Sequence, residues 1–220
     1  MLYYYYKRHW SSRQEWKIQP SRLATDIWSR PRIHLLYWFI NTMFGAFNAA
    51  VTYHVTMQNQ YIQKDLHTQL KNVVYLHVLH TILSYFWHRA MHIPMLYKHL
   101  HKVHHHYKSP QPFDDLFFHP LEYGTYGLLL LVPLFMFSLT PLEIILYLSP
   151  LGIFGMLDHC GIKFDMGVYN SEHHDMHHEQ FHYNFGFPFP FMDLAFGTFK
   201  GTFAKTYYDG KKGKISKFDN

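Results

Sequence analysis

The sequence predicts an all-α chain, an integral membrane bundle with about four membrane helices. Three observations predict it. Uncharged apolar stretches recur at lengths near the roughly 20 residues a helix needs to cross a bilayer. Aromatic residues, of which Tyr and Trp favour membrane interfaces, make up 20% of the chain. Basic residues sit between the apolar stretches rather than in one patch. The mean hydropathy of -0.20 resembles that of a soluble protein because abundant His and Tyr offset the apolar runs.

The elements follow in order. Met1–Arg32 is aromatic and then basic, so residues 1–33 read as a segment flanking the membrane. No apolar core followed by small residues occurs in it, and no secretory signal peptide is expected. Its Arg and Ser residues leave a mitochondrial address open, against Glu15 and Asp26. His34–Met57, with Leu35, Leu36, Phe39, Phe44 and Phe47, is the first candidate span. Gln58–Lys71 is a polar connector. Asn72–Met91 is the second helix, apolar first and rich in His and Arg at its end. Pro94 bounds it, because proline disfavours helix in the residue before it. Lys98–Lys108 is a polar helical segment loaded with His. Leu121–Leu157 is punctuated by Pro133, Pro141 and Pro150. Thr140-Pro141 divides it into Glu122–Leu139 and Leu142–Leu157, a tight hairpin or partly re-entrant pair. Residues 34–200 thus form one membrane domain, and 201–220 a basic tail.

Lys and Arg mark the cytoplasmic side of membrane helices. Lys7 through Arg32 precede the first span, and Arg89, Lys98, Lys102 and Lys108 follow the second. Both groups therefore face the cytosol. The hairpin brings His174 back to the same face.

Twenty of the 220 residues are His, and fourteen of them bunch between Tyr85 and Tyr183. His88 and His92 are four apart. His101 recurs at His104 and His105, and His174 at His177 and His178. Residues three and four apart share a helix face, so each segment can direct two or three imidazoles at one point. The single cysteine, Cys160, excludes a disulfide framework and a thiolate cluster. A metal here would sit in nitrogen, which suits iron, zinc, copper or nickel. A zinc ion is satisfied by four ligands. The three segments supply eight, and His119 and His159 extend the set to ten, which fits two ions. Iron is preferred, with zinc a possible substitute. The site adjoins apolar helices, and attack on an unactivated C–H bond needs oxygen chemistry that zinc does not supply. Asp158, Asp175, Glu122 and Asp193 are candidates for orienting the imidazoles from behind. His9, His34, His54 and His67 read as interfacial or loop residues. His77 and His80 read equally as pocket lining or as packing. His99, His106, His173 and His182 adjoin ligands and could support them. The net charge of +5 is dispersed and gives no nucleic-acid signature.

His88-Arg-Ala-Met-His92, Leu100-His-Lys-Val-His-His105, His119-Pro-Leu-Glu122, Asp158-His-Cys-Gly161, His173-His-Asp-Met-His-His178, Asn184-Phe-Gly186 and Asp193-Leu-Ala-Phe-Gly-Thr198 together resemble the fatty acid hydroxylase superfamily of sterol desaturases and sterol oxidases. His119-Pro-Leu-Glu122 and His173-His-Asp-Met-His-His178 look most like the branch of sterol C4-methyl oxidases and cholesterol hydroxylases. The resemblance implies a helical membrane enzyme of the endoplasmic reticulum with a cytosol-facing pair of irons. It implies molecular oxygen as co-substrate, a lipid or sterol substrate, and hydroxylation or desaturation as the outcome. Electrons would come from NAD(P)H through cytochrome b5 and its reductase. His88, His92, His101, His104, His105, His174, His177 and His178 would be the ligands, with His159 a ninth and His119 a tenth. Three places depart from the family pattern: His80 and Thr81 where an acidic residue is usual, Cys160 for Ser, and Phe191-Met192 for Trp. They keep a second reading open, a non-catalytic accessory subunit of a larger membrane complex, for which the mitochondrial inner membrane is the alternative address.

Overall fold

A computed structural model describes residues 18–19, 31–108, 110 and 114–201. The basic run from Lys7 to Arg30, His9 and the tail from 202 onward lie outside the described residues.

Four long helices carry the chain: α1 (Pro31–Gln58), α2 (Leu66–Met91), α3 (Pro120–Met136) and α4 (Pro141–Asp158). Two shorter ones follow, α5 (Ser171–Gln180) and α6 (Phe191–Phe196). No strand occurs among the described residues. Local chemistry sets the boundaries. α2 starts inside the expected connector because the Asp65 carboxylate accepts the Thr68 N–H at 2.9 Å and caps the first turn. α4 opens on a capping box: Thr140 Oγ1 accepts the Glu143 N–H while Glu143 accepts the Thr140 N–H. Pro141 occupies the first helical position, where its missing N–H costs nothing.

The core lies between α1, α2, α3 and α4, with Leu76, Leu131, Leu134, Ile144, Tyr147 and Leu151 nearly excluded from solvent. At the end away from the histidines, Glu143 is fully buried and held by Lys64 at 2.9 Å and Asn72 at 2.6 Å.

Four membrane helices were expected; among the described residues one, α4, is long and apolar enough to cross a bilayer. α3 is apolar but shorter, at 17 residues. α1 and α2 have the length, but Asn41, Asn48, His77 and His80 dilute their hydropathy. Those residues do not face outward. Asn41 and His80 are buried, Asn48 and His77 are half-buried, and the outer faces carry exposed Leu35, Phe39, Phe47, Val74, Val78 and Phe86.

Lys98–Lys108 is not one regular helix. After a single α turn at Pro94–Leu96 the backbone widens into a π turn at Tyr97–His101, then tightens to a 3-10 turn at His104–His106. The widening is visible in the Lys102 N–H donating to the Tyr97 carbonyl at 2.8 Å. Such π turns recur at functional sites.

Candidate metal centre

α2 ends in His88 and His92, the π and 3-10 turns carry His101, His104 and His105, α4 is capped by His159, and α5 carries His174, His177 and His178. α5 has an unusual buried face: Ser171, His173, Asp175, His177 and His178. A helix that buries only polar groups needs strong partners for them.

The nine imidazoles form two groups. One holds His88, His92, His101, His105 and His177; the other holds His104, His159, His174 and His178. Each His-x-x-His-His segment is therefore split. The expectation that a segment converges on a single point is corrected: His101 and His105 go one way and His104 the other, and His177 parts from His174 and His178. The changes of helical pitch after Tyr97 and the i, i+4 pairing of His174 with His178 explain the division.

In the first group the Nε2 atoms close a four-sided circuit. His92 to His101 is 3.0 Å, His101 to His105 3.1 Å, His105 to His177 3.1 Å and His177 to His92 3.2 Å. Neutral imidazoles facing one another in this way oppose their lone pairs, which only a shared cation makes favourable. The centre of a square with these sides lies about 2.2 Å from each corner, close to an imidazole–metal bond of roughly 2.0–2.1 Å. The buried His88 Nε2, with no hydrogen-bond partner among the described residues, completes the group.

In three of the five the outward nitrogen fixes the tautomer, so that the Nε2 lone pair points inward. His101 Nδ1 donates to the Glu122 carboxylate at 2.5 Å, His177 Nδ1 to the Tyr183 carbonyl at 2.6 Å, and His88 Nδ1 to the Phe185 carbonyl at 3.0 Å. The turn supplying those carbonyls is held by Asp193, which is fully buried and accepts the Phe185 and Gly186 N–H groups and the Thr198 hydroxyl.

The second group is open. Nε2 separations are 3.3 Å for His104–His159, 3.0 Å for His159–His174 and 3.1 Å for His174–His178. Among the described residues no hydrogen-bond-like contact closes His178 to His104, whose ring centroids lie 4.6 Å apart. The His104 ring stacks on Phe118 at 4.0 Å. His159 Nδ1 faces both the Gly155 carbonyl at 2.9 Å and Asp115 Oδ1 at 3.1 Å.

Burial first, and then the neighbouring imidazoles, drive His101, His104, His105, His174, His177 and His178 well below the ordinary His value of 6.5. They are neutral at physiological pH, the form that ligates. His159 differs. Burial pulls it down, but the hydrogen bond and charge of Asp115 outweigh that and raise it.

A cavity of about 290 Å³ opens between α1, α2, α3 and α4 and touches both groups, at His88 and His101 and at His104, His159 and His174. Most of its wall is apolar or aromatic.

The structure brings together nine of the ten sequence-derived ligands. His119 is not among them. It precedes Pro120 and caps α3, its Nδ1 accepting the Leu121 N–H at 3.3 Å; the pre-proline position at a helix start accounts for it. Of the four acidic residues expected behind the ligands, Glu122 holds His101 directly and Asp193 acts through the Phe185 turn. Asp158 instead accepts the Tyr169 hydroxyl at 2.7 Å, and Asp175 accepts Gln19 Nε2 at 2.6 Å. His34, expected at an interface or in a loop, is buried in α1, stacked on Phe117 and bonded to the Tyr107 hydroxyl. His80 packs against Tyr126 and Tyr147 and is not part of the cavity wall. Asp115 and the carbonyls of Tyr183 and Phe185 escaped the sequence reading. An acidic residue four before His119 was a visible cue for the first; a main-chain carbonyl leaves none.

A helical scaffold holding two histidine groups around one cavity, each able to hold a metal ion, points to a histidine-rich metal-binding class. Residues 73–198 match the family model of the fatty acid hydroxylases. The chain belongs to that family. It is similar to a Delta(7)-sterol 5(6)-desaturase of Leptosphaeria maculans, with 37% identity over 37% of this chain and 23% of the relative. It is 39% identical to lathosterol oxidase of Rattus norvegicus over 31% of this chain and 22% of the relative. It is 40% identical to a very-long-chain aldehyde decarbonylase of Oryza sativa subsp. indica over 24% of this chain and 20% of the relative. The matched part thus spans only about a quarter or less of these curated relatives' length. No solved structure matches the chain.

Proposed function

We propose that the chain is a membrane-bound oxidoreductase in which two irons, held by the nine converging histidines, oxidise a lipid. The closed Nε2 circuit of His92, His101, His105 and His177 carries this reading. Its size suits a first-row metal, and its neutral nitrogen donors suit iron. Five imidazoles in one group exceed the four that a zinc site closes with. When bound, iron would supply the activation of molecular oxygen needed to attack a C–H bond. The residues of the chain do the rest. Glu122, Asp115 and the carbonyls of Tyr183 and Phe185 aim the imidazoles, Phe118 braces His104, and the apolar cavity excludes water from the reacting carbon.

The lipid is a sterol in this reading, supported by the sterol-acting relatives; hydroxylation and desaturation are both compatible with the site. Electrons come from NAD(P)H through a cytochrome b5-type donor. The catalytic unit is residues 34–200, embedded by α1 to α4 with the exposed apolar faces of α1 and α2 toward lipid, and its membrane is the endoplasmic reticulum.

Metal analysis of the purified protein, with sterol and fatty-acid profiling of cells lacking it, tests this. About two irons per chain and an accumulated lipid precursor are expected. A correctly folded chain that binds no metal would overturn it and leave the accessory-subunit reading.

A further inference from the structure

The cavity beside the histidines is mostly apolar, and two of its polar side chains are already satisfied. Ser84 Oγ donates to the Thr81 and Phe187 carbonyls, and Trp87 Nε1 donates to Thr125 Oγ1 at 3.3 Å. Asn48 and Tyr123 are not. Both line the cavity, and neither side chain has a hydrogen-bond partner among the described residues. A polar side chain midway along an apolar helix normally bonds to a neighbouring helix or faces a functional cavity. Asn48 sits in a niche made for it. It lies over Gly127 of α3, and a Cβ there would collide with its amide nitrogen. Gly45, three residues earlier on the same face of α1, leaves a similar gap under the Tyr123 hydroxyl, 3.3 Å from where its Cβ would be. Two glycines thus admit two unsatisfied polar groups to the same wall of one chamber. An amide in that wall offers its hydrogen bond to a ligand that brings the complementary group.

We propose that Asn48, supported by Tyr123, determines specificity: its amide hydrogen-bonds a hydroxyl oxygen on an otherwise apolar substrate and sets that substrate's register relative to the two histidine groups. The proposal rests on the reading of this cavity as the substrate chamber. The ligand class is a long-chain or ring alcohol rather than a bare hydrocarbon or an ionised carboxylate. Among the described residues no Lys or Arg side chain lines the chamber.

The test uses the full-length protein in detergent micelles, offered equimolar 1-dodecanol and dodecane, and then re-isolated for quantification of both by gas chromatography and mass spectrometry. Wild type is expected to retain the alcohol about ten-fold over the alkane, the worth of one good hydrogen bond. Asn48→Leu should bring the ratio close to one, and Gly127→Ala, which displaces the amide without removing it, should lower it too. Gly127→Ala also serves if Asn48→Leu does not fold. A wild-type ratio near one, or variants that keep the wild-type ratio, would overturn the proposal. Iron content measured on the same samples separates the two readings. Loss of discrimination at unchanged iron supports the role of Asn48, whereas metal-free protein that still discriminates sinks the oxidoreductase reading alone.

Discussion

The two histidine groups are built from the same turns yet differ in almost every respect. The first has five imidazoles, a closed circuit and a carboxylate, Glu122, with no exposure to solvent. The second has four, an open side and a carboxylate, Asp115, that is 32% exposed and lines the cavity. The first group closes a circuit of short Nε2 separations and the second does not, while the cavity reaches both, at His88 and His101 and at His104, His159 and His174. The difference lies in how firmly each group is framed from behind, by a buried carboxylate in one and a partly exposed one in the other.

The largest expected effect comes from breaking the closed circuit. His177→Ala should remove about one metal equivalent per chain and lower activity on the order of 100-fold or more, since ligand and orienting partner are lost together. His104→Ala should remove the other equivalent and leave the first group loaded. Metal analysis of the two variants checks this, and equal loss of both metals in either one would break the comparison.

Next come the supporting carboxylates. Glu122→Gln should weaken metal retention by about 100-fold and Asp115→Asn by about 10-fold, the two ends of the range for such partners. The burial of the His101–Glu122 pair, against the half-exposure of Asp115, sets the order. Chelator competition on each variant measures it, and a reversed order would sink the assignment of roles.

Acid should act through the same groups. The depressed folded pKa values of His101, His104, His105, His174, His177 and His178 mean that an unfolded chain takes up protons the folded one refuses. The metal-free protein should therefore be most stable above the unfolded value of about 6.5 and lose stability progressively as pH falls below it. Thermal unfolding of chelated protein between pH 5 and pH 8 reads this out; a flat profile would contradict it.

The smallest effect is expected at Asn41. Its amide donates to the Leu116 and Phe118 carbonyls at 2.8 and 3.0 Å, tying the Asp115 loop to α1. Asn41→Ala should cost about 2 kcal/mol, at roughly 1 kcal/mol per hydrogen bond. It should disturb the second group only, seen as faster release of one metal and not of both.

Much of this centre was legible in the residues. The i, i+3 and i, i+4 spacing of His picked out eight of the nine histidines that converge, His159 standing apart from any such spacing, and Thr140-Pro141 divided the apolar hairpin at the observed boundary. The partition between the two groups was not legible, because it depends on a π turn that side-chain spacing at an assumed constant pitch cannot express. His119 stands outside both groups at the start of α3, a place the proline after it already marked in the sequence. Averaged hydropathy likewise hid the sidedness of α1 and α2, whose polar residues turn inward.

α5 docks a face of Ser, His and Asp with almost no apolar surface to hold it. Its attachment to the bundle therefore depends on what its imidazoles grip rather than on the hydrophobic effect. In the proposed reading, with metal gripped by those imidazoles, a chain made in a metal-starved cell would complete its greasy helices and keep this arm only by a few polar ties such as Asn184 to the His173 carbonyl. Supply of metal would then bear on how long the polypeptide survives.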